Sequence, residues 1–170
     1  MLGRIILSIV LLLGQALLFN HIRFEGYGLP MVCVYVIVIR SLGTSRIELL
    51  LWAFVMGVLQ DMFAGTPGQN AASLTLVALV QPWVLKMCAS GDFLSDELAP
   101  APSARSLGWR TFAGYAFVLV LIQQAVVYLL DYFGFEQPIE LGLHILAGTV
   151  CSLLCLLAFE GLRRPARDTE

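Results

Sequence analysis

Between Arg110 and Asp131 the chain runs without one charged side chain. It does so again between Glu140 and Glu160 and between Asp61 and Lys86. About 20 such residues cover about 30 Å as a helix, the thickness of a bilayer's hydrocarbon core. In a soluble helix the apolar positions would recur on one face, with charges on the other. Here the charged face is missing. The composition agrees: 59% of residues are hydrophobic and 13% charged, against about 25% charged in a soluble domain, and the mean hydropathy is +0.85. The fold class is therefore all-α, a polytopic integral membrane protein.

Six spans are expected, at residues 5–19, 29–39, 47–63, 70–87, 109–133 and 139–162. The second is short for a crossing helix, and it spans only if Gly26 to Pro30 and Leu42 lie in the interface and Arg40 snorkels outward. Residues 89–107 hold Ala99-Pro100-Ala101-Pro102-Ser103 and read as an extended, flexible cytoplasmic loop. Residues 163–170 form a short cytoplasmic tail. Arg4, an apolar run and Gly14-Gln15-Ala16 have the outline of a cleavable leader. The run continues through Leu17, Leu18 and Phe19, so span one is expected to be retained.

Charge tests the span count. With six spans and both termini cytoplasmic, Arg4, Arg40, Arg46, Lys86, Arg105, Arg110, Arg163, Arg164 and Arg167 fall inside, leaving only Arg23 outside. That bias is what orientation by positive charge predicts. The acids Glu25, Asp61, Asp131, Glu136 and Glu140 gather at the outer ends. A net charge of −2, spread over loops and tail, offers nothing to nucleic acid.

Polar residues within spans are few. Gln15, Gln123, Gln124 and His144 are the expected intramembrane polar contacts, because a buried amide or imidazole in lipid needs a partner helix. Glu160 is expected to pair with Arg163 or Arg164 along one helix face, and Glu48, in the first turn of span three, to favour the helix N-terminus and to be within reach of Arg46. Gln81-Pro82 predicts a kink in the inner half of span four. His144, Cys151 and Cys155 share a helix face, but His144 and Cys151 stand about 10 Å apart along it, too far for zinc bonds of about 2.0–2.3 Å. No metal or other cofactor is expected, and the four cysteines read as apolar filler. No nucleophile–base set, P-loop or dinucleotide fingerprint occurs, so no catalytic residue is assigned and an enzyme is not expected.

The least generic stretch is Gly57-Val-Leu-Gln-Asp61-Met-Phe-Ala-Gly65-Thr-Pro67-Gly68-Gln-Asn70-Ala71. Gly57 and Asp61 share a helix face. Gly57 lets a neighbour approach just below the carboxylate, and N–H groups of residues 65–68 are placed to cap it. Asn70 is the expected N-cap of span four. Two readings stay open: a tight hairpin pinned by one acid, or a surface shaped by that turn for a partner.

Gly57, Asp61, Pro67, Gly68, Ala71 and Ala72 together resemble the rod-shape-determining MreD family. Gln15 with Phe19-Asn20 and His21-Ile22, and Gln81-Pro82, are similar to family members as well. The resemblance implies a non-enzymatic inner-membrane component of the bacterial elongation machinery. Its direct partner would be the single-span MreC. MreB, RodA and a class B penicillin-binding transpeptidase would be reached indirectly. It also implies a six-helix outline similar to the substrate-binding subunits of energy-coupling-factor vitamin transporters. A vitamin-binding transporter subunit is therefore the alternative function, and it would need an outward-facing polar pocket.

Overall fold

In the computed structural model the described residues are 2–15, 31–40, 45–89, 101–131 and 138–162, with side chains described from residue 8 and, in the last stretch, from residue 139. They form helices joined by turns, with no strand among them. The helices are α1 (Leu2–Gly14), α2 (Tyr35–Val38), α3 (Arg46–Ala64), α4 (Gln69–Cys88), α5 (Trp109–Asp131) and α6 (Pro138–Leu162). Four of them, α3 to α6, are long and apolar enough to cross a membrane. Their bounds lie within two residues of the expected spans.

Burial in these helices is inverted relative to a soluble bundle. Asn70, Ser73, Gln81, Gln123, Gln124, Thr149 and Ser152 are buried, while Leu51, Phe54, Met62, Leu79, Leu146 and Leu154 are exposed. Such a surface suits lipid, because polar groups in a bilayer must face the interior of the protein. The arrangement is that of a membrane protein.

α3, α4, α5 and α6 pack in chain order, each against the next. Gln69 at the start of α4 donates to Asp131 at the end of α5 (3.4 Å), so the bundle has an acidic end with Asp61, Asp131 and Glu140. Arg46, Lys86 and Arg110 lie at the opposite, basic end by the directions of their helices.

The second span differs from expectation. Within 31–40 only Tyr35–Val38 is α-helical. Around it the backbone is held by shorter bonds, Tyr35 N–H to Val32 O and Arg40 N–H to Ile37 O among them. Every residue from Met31 to Val38 is buried, and Val32 to Val38 all belong to the hydrophobic core. Irregular backbone at membrane depth is tolerated where protein surrounds it and satisfies its polar groups. Met31 N–H donates to Ser152 Oγ (2.8 Å), and Val32 and Cys33 N–H both donate to Gln15 Oε1 (2.9 and 2.8 Å). At the far end Tyr115 OH donates to Val38 O (3.1 Å), and Gln81 Nε2 donates to Arg40 O (3.2 Å) and Tyr115 OH (2.9 Å). Side chains from α4, α5 and α6 and from Gln15 thus replace the turns that a longer helix would supply.

One expected ion pair is rearranged. Glu48 pairs with Arg40 (2.9 Å), drawing a buried Arg40 inward instead of letting it snorkel. Glu160 accepts from Tyr35 OH (2.5 Å) and Ala104 N–H (3.0 Å); Arg163 and Arg164 lie outside the described residues. Part of the loop at 89–107 is also ordered by local bonds. Ser103 and Ser106 exchange backbone-to-hydroxyl bonds (2.9 and 3.1 Å), Leu107 N–H returns to Ser103 O, and Ala104 is buried. Residues 90–100 lie outside the described set.

Candidate functional site

α3 begins with Ser45 as N-cap, its hydroxyl accepting from Glu48 N–H, and ends at Gly65, whose φ of 69° closes the helix in the left-handed conformation that glycine adopts without penalty. Gly65 and Thr66 N–H both return to the Asp61 carbonyl (2.9 and 3.2 Å). Pro67 stands exposed in the turn, and Gly68, with φ 80°, is the N-cap of α4.

A glycine N-cap has no side chain with which to receive the free N–H groups of the first turn. Asp61 does that work from the preceding helix. Its Oδ1 accepts from Asn70 N–H (2.9 Å), Asn70 Nδ2 (3.0 Å) and Thr66 Oγ1 (2.8 Å), and its Oδ2 accepts from Ala71 N–H (3.0 Å). The expectation that residues 65–68 would cap the carboxylate is corrected, since the N–H groups of Gly65 and Thr66 serve the Asp61 main chain. Asn70 is likewise not the N-cap. It lies two residues inside the helix and binds Asp61 and Thr66 with its side chain. The negative end of Asp61 also meets the positive pole of the α4 dipole.

Gly57, one turn below, sets the distance between the helices. A β-carbon built on it would lie 2.4 Å from Ala71 Cα and 2.7 Å from both Ala71 N and Asn70 O. The contact is backbone against backbone. Gly57, Asp61, Asn70 and Ala71 therefore form one unit, with Thr66 as a member that sequence reasoning missed. A hydroxyl five residues after the acid was the available clue.

Where the two helices touch, an open apolar groove of about 570 Å³ runs along their outer surface. Its small residues are Gly68, Ala71, Ala72 and Thr75; its bulky ones are Leu50, Phe54, Leu76 and Leu79. From Gly68 to Leu79 it extends about 16 Å, or three helical turns. Thr75 spends its hydroxyl proton on the Ala71 carbonyl (2.7 Å), so the groove presents no free hydroxyl donor there.

The remaining expected polar residues lie elsewhere, in the interior. Gln15 caps residues 32 and 33. Gln124 donates to Ser152 (3.0 Å), and Gly148 leaves room for its amide, since a β-carbon there would fall 2.9 Å from Gln124 Nε2. Gln123 donates to Met31 Sδ (3.4 Å). His144 bonds the Glu140 carbonyl through Nδ1 (2.6 Å) and lies against the Tyr128 ring. These residues brace the core and do not join the Asp61 unit. Ser152 and Tyr115 share that bracing role, and neither stood out in the sequence.

No family model, curated protein or solved structure matches this chain.

Proposed function

We propose that this protein is a non-catalytic scaffold of the bacterial inner membrane, acting in the cell-elongation machinery as the resemblance to the MreD family implies. On this reading α1 and the 31–40 segment belong to two further spans, six in all, in an outline similar to the vitamin-transporter subunits. Both termini are cytoplasmic. The groove along α3 and α4 receives the transmembrane helix of an MreC-type partner, through which MreB, RodA and a class B transpeptidase are reached.

One observation carries the reading: the resemblance motif and the groove share Gly68, Ala71 and Ala72. Gly57 and Asp61 hold two helices in backbone contact, and the small residues of α4 that follow line a trough three turns long. Helices in lipid associate by close packing over small residues, because lipid tails offer no hydrophobic drive. The interior amides favour the scaffold over a vitamin-binding subunit. Gln15 and Gln124 are engaged with backbone and side chains of the core.

Photo-crosslinking in the native membrane tests this. A crosslinker at Ala72 or Leu76 should capture a single-span MreC-type protein, identified by mass spectrometry. One at Leu146, exposed on α6, should not. Equal capture from both faces, or capture of no such protein from Ala72 and Leu76, would overturn the reading.

A further inference from the structure

The basic end of the bundle holds cations that no acid among the described residues neutralises. Arg46, Lys86, Arg105 and Arg110 are exposed, and none forms an ion pair among the described residues. Both described acids at this end are committed inward. Glu48 is bound to Arg40, and the buried Glu160 holds Tyr35 and Ala104. Trp83 and Trp109, in the last turns of α4 and the first turn of α5, are more than half exposed, at 57% and 54%. Lys86 follows Trp83 by three residues on one face of α4, and Arg110 follows Trp109 at the start of α5, the helix packed beside it. Indole rings settle at the level of lipid headgroups, with the apolar ring toward the tails and the N–H toward water. The cations beside them then lie in the plane of the phosphates.

We propose that this rim is a binding surface for anionic phospholipid headgroups. Charge complementarity selects the occupant: the exposed cations meet phosphodiesters, and a headgroup without its own ammonium leaves that attraction uncancelled. Near an anionic surface each exposed Lys or Arg strengthens attachment by about fivefold. Four of them distinguish phosphatidylglycerol from phosphatidylcholine.

The test uses the full chain, so that Asp92, Asp96 and Glu97, which lie outside the described residues, are present. Purified protein is placed in nanodiscs of phosphatidylcholine and phosphatidylglycerol in about equal parts, and retained lipid is read by native mass spectrometry. The wild type should retain phosphatidylglycerol in preference by about tenfold or more at low salt, and Lys86→Gln with Arg110→Gln should remove most of that preference. Asp131→Asn, at the acidic end, should leave it unchanged. Equal retention of the two lipids by the wild type, an undiminished preference in the double variant, or an equal fall in Asp131→Asn would overturn the proposal. If the double variant does not purify as a monodisperse protein, the wild type at about 0.5 M salt decides instead. Screening should then abolish the preference, and a preference that persists is not carried by exposed cations.

Discussion

Gly57 lies against Ala71 so closely that a β-carbon on Gly57 would stand 2.4 Å from the Ala71 Cα. Nothing flexible separates the two, since the neighbouring atoms are α4 main chain. The α3–α4 spacing is therefore set by the absence of one side chain.

Gly57→Ala should push the helices apart and destabilise the protein by about 1–3 kcal/mol, the range for overpacking a tight site. Gly142→Ala is the matched control. Nothing lies within 4 Å of the carbon it adds, and alanine favours the helix, so that variant should be neutral or slightly more stable. Thermal unfolding in detergent micelles compares them. Equal melting temperatures would remove the claim that backbone contact fixes the hairpin.

Asp61→Ala strips the α4 first turn of its acceptor and leaves the N–H groups of Asn70 and Ala71 buried without a partner. A loss of about 2–4 kcal/mol is expected. Thr66→Val removes one of the four donors and should cost about 1 kcal/mol. If the hairpin presents the partner groove, co-purification of the partner should fall with Asp61→Ala and survive Glu140→Ala, since Glu140 is exposed at the same end. A loss as great from Glu140→Ala would separate binding from the Asp61 unit.

Gln15 and Ser152 should protect specific amides. Hydrogen exchange in micelles is expected to quicken at Val32 and Cys33 in Gln15→Leu, and at Met31 in Ser152→Ala, with little change at Val38, which is bonded within the short helix. Uniform acceleration across residues 31–40 in both variants would mean that the segment melts as a whole and that the caps do not act locally.

Glu160 should hold the 101–107 turn on the bundle. With Cys33, Cys88, Cys151 and Cys155 replaced and Leu107→Cys introduced, where the side chain packs on the core, thiol labelling should be slow, and Glu160→Ala should speed it severalfold. Tyr35→Phe keeps the Ala104 bond to Oε1 and should have the smaller effect. The opposite ranking would place the restraint at Tyr35 and not at the turn.

The long helices were legible because lipid leaves a record: the charge-free stretches from Glu48 to Asp61, Asp61 to Lys86, Arg110 to Asp131 and Glu140 to Glu160 mark them out. The Gly57–Asp61 pair was legible too, since four-residue spacing puts both on one face. What Asp61 binds was less so. Its acceptors serve residues nine and ten positions away, across a turn whose two positive-φ glycines decide where α4 begins. The 31–40 segment was the hardest to read. Its caps come from Gln15, Gln81, Tyr115 and Ser152, contacts that no local spacing encodes. Its run of Val and Ile is equally compatible with an ordinary short span. Ala99 to Ser103 suggested an extended chain because prolines mask the reciprocal serine turn that follows them.

The borrowed cap on α4 has a consequence for biogenesis. Without α3, the first-turn donors of Asn70 and Ala71 would lose the acceptor that the protein gives them. Their acceptor is made earlier, in α3, and is joined to them by the few residues between Asp61 and Asn70. The hairpin is thus the smallest unit that can enter the bilayer with these donors satisfied. Insertion of α3 and α4 as a pair avoids the exposed intermediate that insertion of α4 by itself would create.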